Sequence, residues 1–354
     1  MKTRILKFMS LAGIAASVML GSSFLNNAAA QSAADDGGGI RIHIDNDLFA
    51  AGGSHDRDYT GGLAVTLSGA RARDGLLSLD PVLDRIDALF IPDGSIASQH
   101  YARQIGFMAF TPADIANAQP IHDDRPYASL LFIANGRVSV DTDGRSAWTS
   151  NLTVGVLGLS AAGRLHSAVH ELVGSDPVEG YDNQVSAGGE PTARYALARH
   201  HLLLANASDT IDVKSTVQGS VGFLTEASAA ITVRVGRFNT PWWSFAPETT
   251  DYIAAPLPVA ARTGDRMEMY FFTGARLKAR AYNAFLQGQF RDSAVEYSYS
   301  EIEPLVAEVW IGFVTQIFDQ TQVSYTLNYQ TAELRDGQAA RNAMWGGVQL
   351  THSF

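Results

Sequence analysis

The residues best suited to chemistry lie in two short stretches. In HIDNDLFA, residues 43–50, an alternating apolar run stops at Asp45, Asn46 and Asp47. Carboxylate and amide oxygens are the donors that a hard cation such as calcium takes. In GLSAAGRLHSAVHELVG, residues 158–174, His166 and His170 stand four apart, the spacing that puts both on one face of a helix. Imidazole near neutral pH is the usual general base. The pair also matches part of the zinc-protease pattern, but Ser167 stands where that pattern needs glutamate, so zinc hydrolysis is weak. Ser160 lacks the G-x-S-x-G spacing, which weakens a serine elbow in the same way. A histidine-activated water beside a calcium-polarised carbonyl would give an ester hydrolase with no covalent nucleophile. Taken alone, the histidine segment is equally a loop helix with two exposed imidazoles.

The elements that must position these residues follow from the compartment. Lys2, Arg4 and Lys7 precede an apolar run, and Ala28-Ala29-Ala30 gives a cleavage pattern, so residues 1–30 read as a signal peptide that is removed. The rest, residues 31–354, reads as a single exported domain. With no cysteine, it is neither a lipoprotein nor a disulfide scaffold. A net charge of -10 argues against nucleic acid as a partner. No later stretch has the length and apolarity of a transmembrane helix, but spanning strands of about ten residues give only a weak hydropathy signal.

Period-2 alternation recurs throughout. Val213, Val217 and Val221 oppose Lys214, Thr216, Gln218 and Ser220, and Trp148, Leu152, Val154 and Val156 oppose Thr149, Asn151 and Thr153. The polar face is mostly Thr, Ser, Asn, Gln and Gly, which suits a hydrated lumen. Val348, Leu350 and the terminal Phe354 share one parity, resembling the signal by which the barrel assembly machinery recognises outer-membrane barrels. The alternation predicts an all-β fold, an antiparallel transmembrane outer-membrane β-barrel of about twelve strands with a short outer-loop helix.

The first strands are expected at about 39–45, 60–69, 101–110, 127–140 and 146–157, with residues 161–173 forming the loop helix. A periplasmic N-terminus then brings residues 45–60, 111–126 and 158–190 to one outer rim. Residues 70–100, with the amphipathic LLSLDPVLDRIDALF, fit poorly as a periplasmic insertion. Ile40, Ile42 and Ile44 face lipid, so a continued pleat would put Asn46 in lipid and Asp47 in the lumen. Either the strand has left the hydrocarbon by Asn46, or something outside the wall covers it. Parity puts Thr60 on the lumen face with Ala64 and Thr66, and Asp56, Arg57 and Asp58 read equally well as a solvated turn.

At these residues the chain resembles the outer-membrane lipid A 3'-O-deacylase family. The resemblance rests on NDLF (46–49), DRDYTGG (56–62), TP and DDRPYA (111–112 and 123–128), G-x-x-G-x-S (155–160) with VHELVG (169–174) and YDNQ (181–184), and AFLQGQFRDS (284–293). It implies calcium-dependent removal of the 3'-linked acyloxyacyl chain from lipid A, at an outer-leaflet site between the barrel wall and the loop helix. It further implies His170 as the base, Asn46, Asp47 and Thr60 as the catalytic and metal-binding group, with Asn46 and Asp47 on the metal, and Asp176 as an acidic site residue. His166, a substrate-binding candidate, stands where members of the family can carry glutamine, and the 111–120 loop has no lysine to meet a lipid A phosphate. The alternatives are an outer-membrane phospholipase or other lipid esterase, and a non-catalytic barrel or porin.

Overall fold

A computed structural model describes residues 38–50, 57–75, 77–92, 94–161, 163–164, 166–167, 178–206, 208, 210–260 and 267–354. The leader expected over residues 1–30 lies outside this set. The alternating stretches form β1 (Gly39–Asn46), β2 (Asp58–Ser68), β3 (Ile96–Thr111), β4 (Ala128–Asp141), β5 (Ser146–Leu157) and β6 (Glu190–Ala205). They continue as β7 (Ile211–Gly222), β8 (Leu224–Arg237), β9 (Met269–Asn283), β10 (Leu305–Phe318), β11 (Thr321–Gln330) and β12 (Ala343–Ser353). All twelve pair antiparallel with their chain neighbours, and β12 closes on β1 from Gly39↔Ser353 to Asn46↔Gly346. Closure leaves no unpaired edge for lipid to meet.

Side chains of one parity form an apolar outer band, with Val217, Ile231, Phe271, Leu277 and Ile311 exposed. In the last strand Val348 and Leu350 lie beside Ile44 and Ile42 of β1, as the shared parity predicts. The short turns at 142–145 and 319–320 lie at the end that carries the terminal Phe354, taken as periplasmic.

The lumen departs from the hydrated interior expected. The β8–β9 connection runs back into it, and Glu248 there meets Lys214 Nζ at 3.0 Å and accepts from Thr216 and Thr232 at 2.9 and 2.8 Å. Asp251 pairs with Arg194 and Arg276, and Arg276 and Lys278 share Glu308. Near the periplasmic end Ala246, Ala255 and Leu257 pack on Val138, Val140 and Ala147. Towards the outer end Tyr59, Phe110, Tyr252, Phe285 and Trp345 form an aromatic layer. Hydroxyl and amide side chains on an inner wall satisfy a polypeptide plug as readily as water: here the connection takes Gln104, Thr216, Gln218 and Thr232, while Ser324, Thr326 and Gln349 line a cavity that remains beside it.

Residues 70–100 also find a place. Helix α1 (Ala70–Arg73) and helix α2 (Asp80–Asp87) lie between β2 and β3, and β3 begins at Ile96, five residues ahead of the expected 101. They pack on the outside of the wall, because Asn135 and Arg137, which bond them, share the outward parity of Leu131 and Ile133. A further short helix, α3 (Ala284–Gln287), follows β9 at the outer end.

Candidate active site at the outer rim

β1 ends where its chemistry changes. Asp45 has inward parity, with His43 Nε2 2.7 Å from its carboxylate and the Tyr59 hydroxyl donating to it at 3.2 Å. Asn46, the last extended residue of β1, caps a single 3-10 turn, Asp47–Phe49: its Oδ1 accepts from Leu48 N at 2.8 Å, and its Nδ2 donates to Thr60 O at 3.1 Å. A 3-10 turn takes the place of a continued strand, so the simple alternation that gave Asp47 a lumen position ends at Asn46. Asp47 is buried, and its Oδ2 accepts from Arg57 N at 3.2 Å. Gly61 permits the close approach, since a Cβ there would lie 2.6 Å from Asp45 O.

Thr60 is not on the lumen face. The β2–β3 register slips between Tyr59 and Gly61, so Tyr59 turns inward among Phe110, Tyr252 and Trp345 while Thr60 falls at the bulge. One extra residue reverses the parity on its far side. The Thr60 hydroxyl then lies 2.6 Å from that of Thr111, which has the outward parity of Ile105 and Phe107. Thr111 and Ala109 are nonetheless 0 % and 3 % exposed, so this part of the outer wall is covered rather than open to lipid. Covering was one of the two possibilities that parity left for Asn46.

Around this patch the β3–β4 and β5–β6 connections lock together. Tyr127 O accepts from Val185 N at 2.8 Å, Ile115 O from Glu179 N at 3.0 Å, and Gln184 Oε1 from Ser129 Oγ at 2.7 Å. Tyr127 and Tyr181 pack with ring centroids 4.9 Å apart, and the Tyr127 hydroxyl donates to Ile115 O at 2.9 Å. Burial pushes both phenols well above the usual range, so they remain neutral hydroxyls. Gly180 is required because the Tyr127 ring occupies the space of a side chain, and Gly158 takes the left-handed φ of +73° that ends β5.

The described residues between 160 and 167 are helical, as predicted for the start of the loop helix. His166 there is buried, with Nδ1 2.9 Å from the Tyr181 hydroxyl. The helix is thus tied to the YDNQ stretch. His170 and Asp176 lie outside the described residues.

Asp58 is not a solvated turn residue. It sits at φ +65°, buried, with Arg341 Nε at 2.9 Å, and Arg341 also meets Asp124 at 2.7 Å. Arg125 continues inward to Glu333, which Tyr252 and Arg280 share. Neither the Asp58–Arg341 nor the Arg125–Glu333 pair was legible, because the members of each lie more than 200 residues apart in the chain. Tyr181 and Thr111 sit inside the quoted motifs, but no role for them could be read there.

The donors gathered here are hard oxygens: the Asp47 carboxylate, the Asn46 amide and the hydroxyls of Thr60 and Thr111. They suit calcium in kind. Among the described residues no three His, Cys, Asp or Glu cluster to hold a metal, so the described oxygens make at most part of a shell.

A closed twelve-stranded barrel with an apolar outer band, a filled lumen and a covered polar patch in its wall defines an outer-membrane β-barrel protein rather than an open pore. The profile of the family Outer membrane protein LpxR matches residues 14–354, and the chain belongs to that family. Among solved structures, LpxR from Salmonella typhimurium is similar at TM-score 0.69 and 17 % identity, over 89 % of this chain and 100 % of that one. The translocator domain of the autotransporter NalP from Neisseria meningitidis reaches TM-score 0.41 at 7 % identity, over 98 % and 99 % of the two chains. The β domain of the Bordetella autotransporter BrkA reaches 0.40 at 12 %, over 90 % and 100 %. A comparison with curated protein sequences gave no match.

Proposed function

We propose that this chain is a lipid A 3'-O-deacylase, hydrolysing the 3'-linked acyloxyacyl ester of lipid A in the outer leaflet. The observation that carries the reading is the polar patch of Asn46, Thr60 and Thr111, next to which Asp47 is buried in the turn that Asn46 caps. The patch lies on the outward side of the wall, at the outer rim, beneath a covering of connections. A lipid substrate reaches such a patch laterally from the leaflet, without entering the lumen. His170 is the base that takes a proton from the attacking water. Asn46 holds the β1 end against Thr60 and so fixes the direction of Asp47, which with the Asn46 amide oxygen would hold calcium. Calcium, when bound, polarises an ester carbonyl. Asp176 serves as a further acidic site residue, and His166, through Tyr181, positions the helix and borders the substrate.

In this reading, residues 1–30 export the chain, the strand ending in Phe354 is recognised by the barrel assembly machinery, and residues 31–354 are the single mature domain. The filled lumen supports an enzyme working at the wall over a porin. A phospholipase remains the alternative within lipid esterases.

The test is mass spectrometry of lipid A after incubation with the purified, folded protein, with calcium or with chelator, for wild type and His170→Ala. Loss of one 3'-linked acyloxyacyl mass that needs both calcium and His170 is the expected result. Unchanged lipid A with the wild type in calcium, alongside cleavage of a phospholipid, would move the activity to the alternative.

A further inference from the structure

The outward face of β3–β6 changes character partway down. Its upper row, Ile105, Ile133 and Val154, is apolar, with Ile105 and Val154 open to lipid. The next two rows are Arg103–Asn135–Leu152–Tyr195 and Tyr101–Arg137–Ser150. A bare arginine on the lipid face within the bilayer is strongly unfavourable. α2 removes that cost. Arg137 Nη2 lies 3.0 Å from Asp80, and its Nη1 lies 3.3 Å from Asp87. Ser150 and Tyr195 donate to Asp87 at 2.7 and 2.9 Å, and Asn135 accepts from Leu79 N at 3.1 Å while donating to Asp80. Leu83, on the same helix face, is fully buried.

Asp80 and Asp87 thus face the protein beside the apolar Leu83, while the outer surface of the segment carries Asp84 and Arg85 together with several apolar side chains. Leu77, Val82, Leu89 and Phe90 are 66 %, 50 %, 77 % and 55 % exposed, and Phe90 stacks on Tyr195 with ring centroids 6.1 Å apart. Depth identifies what meets them. Arg137 and Asn135 lie four and six residues up β4 from its periplasmic end at Asp141. At about 3.3 Å per residue and a strand tilt of about 40°, that is roughly 10–15 Å, well inside an apolar band about 25 Å tall. On the opposite wall exposed apolar side chains run down to the strand ends, at Val235 of β8, Phe271 of β9 and Phe318 of β10. The outer surface of α2 continues that band around the barrel.

We infer that residues 77–90, although they belong to a periplasmic connection, are an inner-leaflet lipid-binding element. Leu77, Val82, Leu89 and Phe90 insert among phospholipid acyl chains, and the Arg137–Asp80–Asp87 cluster fastens them to the wall. The segment replaces a stretch of barrel surface that could not itself face lipid, and thereby completes the lipid-facing girdle.

The absence of cysteine makes the test direct. Val82→Cys and Leu89→Cys each take one nitroxide label, with Val217→Cys as the lipid-facing control and Asp143→Cys as the control in the β4–β5 turn. The purified protein is refolded into phosphatidylethanolamine/phosphatidylglycerol vesicles, and folding is verified by heat-modifiable gel mobility. The readout is collision with oxygen against collision with a water-soluble nickel chelate. Labels at 82 and 89 are expected to match 217, with an oxygen-to-nickel ratio several-fold above that at 143. Ratios equal to that at 143 would overturn the inference, because the surface would then face periplasmic water. Spin–spin broadening between labels at 82 would equally overturn it, by showing a second copy on this face. Both substituted side chains are exposed, so folding is expected to survive, and either variant alone decides the outcome.

Discussion

Thr60 and Asn46 depend on each other through a single backbone oxygen. Asn46 satisfies two demands at once, accepting from Leu48 N to cap the turn and donating to Thr60 O to hold β2. Asn46→Ala removes both and is expected to cost about 1 kcal/mol in urea unfolding. Asn46→Asp keeps the acceptor and loses the donor, so it should recover most of that stability. Deacylation should nevertheless fall about ten- to a hundredfold in both variants, because the β1 end that aims Asp47 is no longer tied to Thr60. Wild-type turnover by Asn46→Asp would remove the Thr60 link from the proposed site. Tyr181→Phe tests the other wall of the patch: the ring contact with Tyr127 stays, the His166 Nδ1 partner is lost, and about 1 kcal/mol of stability should go with it, read by the same unfolding measurement. At this scale the sequence revealed where β1 stops, because alternation itself breaks at Asp45-Asn46-Asp47. It misdirected Thr60, because a bulge adds one residue without any local mark on composition. It also left open whether Asp58 sits in a solvated turn, because its partner, Arg341, is distant in the chain.

The strands were legible as elements: β5 has its predicted bounds, and β1, β2 and β4 start and end within about two residues of expectation. The stretch over α2 was legible as amphipathic, but not that Asp80 and Asp87 would be buried beside Leu83 while Val82 stays exposed. Pattern assigns the apolar face to a core on the assumption that the outside is water, and here the outside at that depth is acyl chain. The acidic side of α2 is its packing side, centred on one cation. Arg137→Ala leaves Asp80 and Asp87 buried beside a wall that no longer offers a guanidinium, and breaking a buried pair in this way costs about 3–5 kcal/mol. The expected outcome is a marked drop in the urea midpoint of the folded barrel, whereas Arg85→Ala, on the exposed side of the same helix, should stay within about 0.5 kcal/mol of wild type. Equal effects from the two would mean that the cluster contributes little to holding α2 on the wall.

For the whole molecule, the closed barrel follows from repeated alternation and a lipid environment, whereas the filled lumen does not. An inner wall of Thr, Ser, Gln and scattered charges is compatible with water or with a plug, and only the return of the β8–β9 connection into the lumen decides between them. The inserted acids meet cations from one side of the wall: Glu248 takes Lys214 of β7, and Asp251 takes Arg194 of β6 and Arg276 of β9. Such a network is costly to half-break, since each cation left alone stays buried. It therefore fastens the plug to that side of the wall. In planar bilayers the wild-type protein should show no steady open-channel current. The double variant Glu248→Ala/Asp251→Ala, which removes the plug's acidic contacts to β6, β7, β8 and β9, should flicker between closed and conducting states at a lowered urea midpoint. A wild-type conductance like that of an open porin would show that the connection leaves the lumen in the bilayer. The wall patch would then have to share its role with a water-filled passage.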